Sequence, residues 1–154
     1  MFSKNKNKIY ILITIVIVIF FGFWFFRASA PVSDLSKIRI IQIGNAVIQA
    51  EFVTAQEDQI KGLSGRTFLA ENAGMFFVFE YPMYWGIWMK DMNFPIDVLW
   101  ITDDMKVSDI VENMLPSSYP NTYKPHIPVR YVLEIPSGMA KKYGITVGQK
   151  VVLK

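Results

Sequence analysis

The 154-residue sequence contains no cysteine, only one histidine, and few charged residues, which make up 19% of the chain. Without cysteine, the protein forms no disulfide bond, uses no catalytic thiolate and carries no lipid on an N-terminal cysteine. A single histidine, His126, does not complete an ordinary zinc site. The sequence also lacks a G-x-S-x-G elbow and the spacing of an EF-hand loop. It therefore predicts no metal ion and no cofactor, and no familiar motif identifies a reaction.

Charge is scarce partly because one long stretch has none. Ile9 to Phe26 runs for 18 residues without a charged side chain. As a helix this stretch would be about 27 Å long, close to the hydrocarbon thickness of a bilayer, roughly 30 Å. Three lysines precede it and Arg27 follows it, which orients the N-terminus toward the cytoplasm. The sequence thus predicts a single-pass protein of the cell membrane whose partner is the lipid bilayer.

The predicted organisation has four parts. They are a cytoplasmic tail (1–8), a transmembrane anchor (9–26), a linker (27–37) and an extracytoplasmic domain (38–154). The alternative is a signal peptide cleaved after Ala30, because Ala28-Ser29-Ala30 has the small-residue pattern of a cleavage site. However, Pro31 would follow the cut, and the apolar stretch is longer than a usual signal core. Both features favour an uncleaved anchor.

This topology predicts the behaviour of reporter fusions. A reporter that folds only outside the cytoplasm should be active when fused after Lys154, because the anchor carries everything behind it across the membrane. A reporter that works only in the cytoplasm should be inactive at the same position. Fusions after Lys8, before the anchor, should show the inverse pattern and serve as the control. Activity of the cytoplasmic reporter after Lys154 would contradict the predicted orientation.

The sequence pI of about 9.1 reflects the membrane flank. Four of the 16 basic residues precede residue 31, where there is no acidic residue, so residues 31–154 carry 12 basic and 13 acidic side chains. The domain has no clustered basic stripe of the kind that nucleic-acid-binding proteins carry. The sequence therefore predicts no nucleic-acid partner.

Short runs of alternating or β-branched apolar residues indicate a mostly β domain. Strands are predicted at Ile38–Ile43, Ala46–Val53, Met75–Phe79, Gly86–Met89, Asp97–Thr102, Lys106–Val111, Val129–Ile135 and Gln149–Leu153. Short helices are predicted from a capping box at Thr54 to Lys61, and from Pro136 to Tyr143. Residues 116–128 contain four prolines and are predicted as a loop. The expected fold class is α+β, mostly β, as a small curled sheet or barrel-like domain with two short helices.

Five ordered segments carry a resemblance to a known family. They are Lys61-Gly62-Leu63-Ser64-Gly65-Arg66, Gly74-Met75-Phe76-Phe77-Val78-Phe79, Trp88-Met89-Lys90-Asp91-Met92-Asn93-Phe94-Pro95-Ile96-Asp97, Arg130-Tyr131-Val132-Leu133-Glu134-Ile135-Pro136 and Gly144-Ile145-Thr146-Val147-Gly148. This series resembles the domain-of-unknown-function 192 (DUF192) family over residues 46–153. The resemblance implies a small β-rich fold, usually secreted or behind one membrane anchor, and it implies no reaction. Gln149 departs from the family pattern, which usually has an acidic residue at that position.

The third segment contains the first candidate binding residues. If Gly86–Lys90 is extended, Trp88 and Lys90 share one face. An indole beside an ammonium group can stack on a planar or sugar-like ligand and pair with an anion. The alternative is that Trp88 covers the edge of the core while Lys90 reaches into water.

Two acidic residues, Asp97 and Glu134, lie within apolar strands. A buried carboxylate must be paired or hydrogen-bonded, so we expect Asp97 to be buried and paired with Arg66 or Arg130. The alternative is catalytic, because two carboxylates act as general acid and base in glycoside hydrolysis. Arg66 follows a helix stop, where it can clamp an anionic ligand or tie its loop to a neighbouring acid.

These residues lead to two hypotheses for the function. The first is a non-catalytic extracytoplasmic module that binds an envelope glycan, a small anion or a partner protein, including another membrane protein. The second is an enzyme that hydrolyses envelope polymers through Asp97 and Glu134. The candidate ligand-binding residues are Arg66, Trp88, Lys90, Asp97, Arg130 and Glu134.

Overall fold

The structure, a computed structural model, describes residues 37–154, which form nine β-strands and two short α-helices. The strands are β1 (Ile38–Ile43), β2 (Ala46–Val53), β3 (Ala73–Met83), β4 (Ile87–Trp88), β5 (Ile96–Ile101), β6 (Val107–Met114), β7 (Thr122–Tyr123), β8 (Val129–Pro136) and β9 (Val151–Leu153). The helices are α1 (Gln56–Lys61) and α2 (Met139–Tyr143), and a 3-10 turn spans Pro116–Ser118. The predicted tail, anchor and alternative cleavage site lie outside the described residues. Within residues 37–154, no helix has the length and apolar character needed to cross a bilayer.

Seven strands form one curled sheet in the order β6-β5-β8-β3-β2-β1-β9. Strands β2 and β3 are parallel and are joined through α1, whereas all other neighbours in this sheet are antiparallel. The two edges of the sheet meet where Lys106 forms a bridge with Lys150. Beside it, Gly148 N donates to Val107 O at 2.8 Å and Val107 N donates to Gln149 O at 3.0 Å. This partly closed barrel confirms the predicted barrel-like, mostly β fold.

The sheet separates two apolar cores because its central strands are buried on both faces. All seven strands and α2 contribute to the inner core, inside the barrel. The outer core packs against the opposite face of β3, β5 and β8. Every residue of β5 is buried: Leu99 and Ile101 face the inner core, while Ile96, Val98 and Trp100 face the outer core. Successive side chains of β5 therefore point alternately into the two cores, as in any extended strand.

A layer of short elements covers the outer core. Strands β4 and β7 form a separate two-stranded ribbon, and Ile87 and Met89 at this ribbon are buried. Helix α1 ends at Gly62, where a positive φ of 49° turns the chain back toward the sheet. Leu63 therefore enters the same core and is 1% exposed. This layer holds the loops that carry the candidate site.

The predicted strands all occur, with β1 and β2 at the predicted bounds and the others shifted at their ends by one to four residues. Both helices are shorter than predicted. Ala55 precedes α1 without a side-chain cap, so the predicted capping box at Thr54 is wrong. Helix α2 starts only at Met139, because Pro136 still belongs to β8 and Gly138 adopts a left-handed φ of 83°. The proline-rich segment contains β7, which pairs with β4 and was predicted as loop.

Candidate functional site

Four of the five segments that carry the family resemblance meet at one cavity, which we call the outer pocket. It has a volume of about 260 Å³ and lies on the outer face of the sheet, beside α1 and β4. The first segment contributes Leu63, the second Phe77, the third Trp88 and the fourth Glu134. The fifth segment, residues 144–148, lies in the turn before β9. Four segments that are separate in the sequence therefore line a single pocket.

Glu134 is the buried acidic group of the outer pocket. It lies on β8 between Met75 of β3 and Val98 of β5, and it is only 5% exposed. Burial raises the pKa of the Glu134 carboxyl group to about 8, although the positive charge of Arg66 acts to lower it. No hydrogen bond from residues 37–154 contributes to this pKa. At pH 7 the carboxyl group is therefore mostly protonated, and it can donate a hydrogen bond as well as accept one.

Arg66 influences the outer pocket but is already paired. Its Nη1 and Nη2 donate to the two carboxylate oxygens of Glu51 at 2.6 and 2.7 Å, the bidentate geometry that favours strong pairing. The hydrogen bond with Glu51 raises the pKa of Arg66. Glu51 lies on β2 in the same cross-strand row as Met75 and Glu134. Of the two roles that the sequence left open for Arg66, the structure shows the tie to a neighbouring acid.

Hydrogen bonds join the loop after α1 to the loop after β4 and so fix the rim of the outer pocket. Ser64 Oγ donates to the carbonyl oxygen of Lys90, and Asn93 Nδ2 donates to that of Arg66, both at 2.8 Å. Trp88 and Lys90 are both exposed, whereas Ile87 and Met89 are buried, which agrees with the prediction that Trp88 and Lys90 share one face. Only Trp88 lines the outer pocket, so Lys90 contributes to the site through its backbone.

Aromatic rings form one wall of the outer pocket. Phe79 and Trp85 stack with their centroids 4.0 Å apart and their planes at 10°. Trp88 is 47% exposed and meets Tyr119 edge to face at 6.2 Å. The wall therefore offers both a buried stack and an exposed indole to a ligand with an apolar face.

The lining residues of the outer pocket that were not candidates from the sequence include Gln59, Phe79 and Trp85. Gln59 Nε2 donates to the carbonyl oxygen of Val78 at 2.9 Å, which fixes α1 to the sheet. The signal that was available for the other two is the density of aromatic residues between positions 76 and 88. No local sequence pattern could have identified Gln59, because its hydrogen bond to Val78 joins residues that are far apart in the sequence.

Asp97 lies on the opposite face of the sheet from Glu134. It is 0% exposed, and its two carboxylate oxygens accept hydrogen bonds from the backbone amides of Asn113, at 2.8 Å, and Ala140, at 2.9 Å. The prediction that Asp97 is buried is confirmed, but the predicted arginine partner is wrong. Asp97 is directly opposite Ile135, so Glu134 points to the other face. The two carboxyl groups therefore do not form the acid–base pair of a glycoside hydrolase.

Arg130 and His126 lie outside the outer pocket. Arg130 Nη1 donates to Asp103 Oδ1 at 2.9 Å, and its Nε donates to the carbonyl oxygen of Phe79 at 3.2 Å. The hydrogen bond with Asp103 raises the pKa of Arg130. His126 is exposed and contacts the carboxylate of Asp109. Within residues 37–154, no cluster of three or more side chains could hold a metal ion.

Gln149, which departs from the family pattern, has a structural role in the turn before β9. Its Oε1 accepts from Thr146 N at 3.1 Å, and its Nε2 donates to Gly144 O at 3.3 Å. An ionised acid at this position could make the first of these hydrogen bonds but not the second.

Comparisons with known proteins agree with this fold. The DUF192 family model, described as "Uncharacterized ACR", matches residues 39–153. A crystal structure from Novosphingobium aromaticivorans DSM 12444, of "a protein of unknown function", is 32% identical with a TM-score of 0.74, covering 81% of this chain and 91% of that chain. Another, of a "putative transcription regulator" from Sinorhizobium meliloti 1021, is 27% identical with a TM-score of 0.71, covering 75% and 93%. No curated protein matches. The chain thus belongs to the DUF192 family.

Proposed function

We propose that this domain is a non-catalytic module that binds a neutral saccharide of the cell envelope in the outer pocket, held at the membrane by the predicted anchor. The observation that carries the proposal is the carboxyl group of Glu134. It lies at an aromatic-lined cavity, and no hydrogen bond from residues 37–154 accounts for its state. A carboxyl group that lines an apolar cavity can offer a hydrogen bond to a ligand there.

The chemistry of the outer pocket suits a sugar. The exposed indole of Trp88 matches the apolar face of a sugar ring, and the Phe79–Trp85 stack forms an apolar wall, while Gln56 and Glu134 offer polar atoms for hydroxyl or acetamido groups. Because a protonated carboxyl group both donates and accepts, Glu134 can satisfy a hydroxyl group without adding charge. The site is therefore best suited to an uncharged, polyhydroxylated ligand.

The other ligands that the sequence suggested have weaker support. Of the cations near the outer pocket, Lys61 lines it but is exposed, and Arg66 is paired with Glu51, so an anion would be held by one solvent-exposed ammonium group. A role in transcription, as named for the Sinorhizobium protein, would need a basic surface for DNA. Residues 31–154 instead carry 12 basic and 13 acidic side chains, with no clustered basic stripe in the sequence. Neither reading gives Glu134 a role.

Titration of the full chain with monosaccharides tests the proposal. In a detergent without a sugar headgroup, calorimetry with N-acetylglucosamine, glucose and galactose should detect at least one sugar binding with a Kd on the order of 1 mM. Glu134→Leu should weaken that binding at least tenfold, because loss of a buried hydrogen bond costs on the order of 1.4 kcal/mol. Glu134→Gln should retain most of it, because the amide still donates and accepts.

The matched control is Glu112→Leu, which changes an exposed carboxylate on β6 and should leave the affinity unchanged. Binding by the wild-type chain should also weaken as the pH rises through about 8, where Glu134 ionises. The Glu134→Gln variant should lack this pH dependence. If the folded chain binds none of the three sugars, the proposed function is wrong.

A further inference from the structure

We infer that the bound saccharide is a chain of several units that runs across the mouth of the outer pocket on a strip of aromatic rings, from Tyr81 on one side to Tyr119 on the other. This inference rests on the proposed function and extends it from a single sugar to an oligomer. We call Tyr81, Trp85, Trp88 and Tyr119 the aromatic strip.

The strip adds one tyrosine beside each of the two indoles that line the outer pocket. Tyr81 lies 6.0 Å from Trp85, and Tyr119 lies 6.2 Å from Trp88, measured between ring centroids. Both indoles line the outer pocket, whereas neither tyrosine does. Each tyrosine is therefore placed to contact the sugar unit next to the one inside the outer pocket.

Three of the four rings in the aromatic strip are about half exposed. Tyr81 is 53% exposed, Trp88 47% and Tyr119 46%. Contiguous exposed apolar surface on a soluble domain commonly marks a binding site. All four rings of the strip are uncharged, as is the protonated carboxyl group of Glu134. A neutral polymer with apolar ring faces matches this combination.

Backbone pairing holds the strip in place before any ligand binds. Trp88 pairs with Thr122 in the β4–β7 ribbon, and a Cβ atom added at Gly86 would lie 2.5 Å from Thr122 Cγ2, so the ribbon is tightly packed. Trp85 Nε1 donates to Tyr81 O at 3.2 Å, and Trp85 O accepts from Trp100 Nε1 at 2.8 Å. Rings that are already ordered lose little conformational freedom on binding.

A comparison of N-acetylglucosamine with its β-1,4-linked tetramer tests the inference on the full chain. The tetramer should bind at least about tenfold more tightly, because it contacts rings that the monomer does not reach. Tyr81→Ala and Tyr119→Ala should each weaken tetramer binding about fivefold. Both variants should keep the wild-type affinity for the monomer, which also shows that the outer pocket remains folded. Val147→Ala, which changes an exposed apolar residue in the turn before β9, is the control and should alter neither affinity.

The outcomes separate this inference from the proposed function. Equal affinity for monomer and tetramer would overturn the inference and leave the proposed function standing, provided that Glu134→Leu still weakens both. If the tetramer binds tightly and neither tyrosine substitution weakens its binding, the saccharide does not run along the aromatic strip and the inference is wrong. Absence of binding to both N-acetylglucosamine and its tetramer, in a folded chain, would overturn the inference, and it would overturn the proposed function as well if glucose and galactose also failed to bind.

Discussion

Replacing Asp97 by asparagine should lower the free energy of unfolding by about 3 kcal/mol, the sum expected for a weakened charge-assisted hydrogen bond and an unsatisfied amide. Asp97 is completely buried, and each of its oxygens accepts one backbone N–H, from Asn113 and from Ala140. Asparagine retains only one of these acceptors, and its NH₂ group would face the second N–H donor. The Ala140 amide belongs to the first turn of α2, so the substitution should also loosen that helix.

Thermal and urea unfolding of the full chain, followed by circular dichroism, would measure the effect. We expect the midpoint temperature to fall by roughly 10 °C. Glu112→Gln, which neutralises an exposed carboxylate on β6, should leave the midpoint nearly unchanged. A midpoint that also stays constant for Asp97→Asn would mean that the two amide hydrogen bonds do not hold this region together.

Glu134 should make the stability of the domain fall as the pH rises from 5.5 to 8.5. The unfolded chain releases this proton near the ordinary pKa of 4.5, whereas the folded chain keeps it until about 8. Between these values the folded state binds more protons than the unfolded state, so its stability decreases with pH and levels off above 8. With about 1.4 kcal/mol for each pKa unit, the expected loss across this window is at most about 3 kcal/mol.

Urea unfolding of the wild-type chain and of Glu134→Gln at both pH values isolates this effect. Groups that titrate in both proteins cancel in the difference between them. The variant should be about as stable as the wild type at pH 5.5 and more stable at pH 8.5. Parallel pH profiles for the two proteins would show that Glu134 ionises normally in the folded state, which would remove the basis for its role as a neutral donor.

Much of the fold could be predicted because alternation and chain breaks are local. The faces of β5 follow from the apolar residues on either side of Asp97, and the first two strands have the bounds that Gly44-Asn45 suggests. Strand β7 was missed because Thr122 and Tyr123 gain their pairing only from β4, far away in sequence. A two-residue strand leaves no periodic pattern to read.

The candidate site was harder to predict because it depends on register. Asp97 and Glu134 lie on adjacent strands but one residue out of step, which sends them to opposite faces of the sheet. A shift of a single residue would have made them direct neighbours, and no local pattern distinguishes the two arrangements. The partners of Asp97 were equally hidden, because backbone amides such as those of Asn113 and Ala140 carry no residue-specific signature.

The position of β8 determines when the domain can finish folding during synthesis. β8 lies between β3 and β5, so the sheet formed by β1, β2 and β3 and the hairpin of β5 and β6 stay separate until residues 129–136 have been made. A nascent chain ending at residue 128 holds two half-sheets with unpaired edges, which are prone to wrong pairing. Because Glu134 arrives on that same strand, the outer pocket cannot form before the sheet is complete.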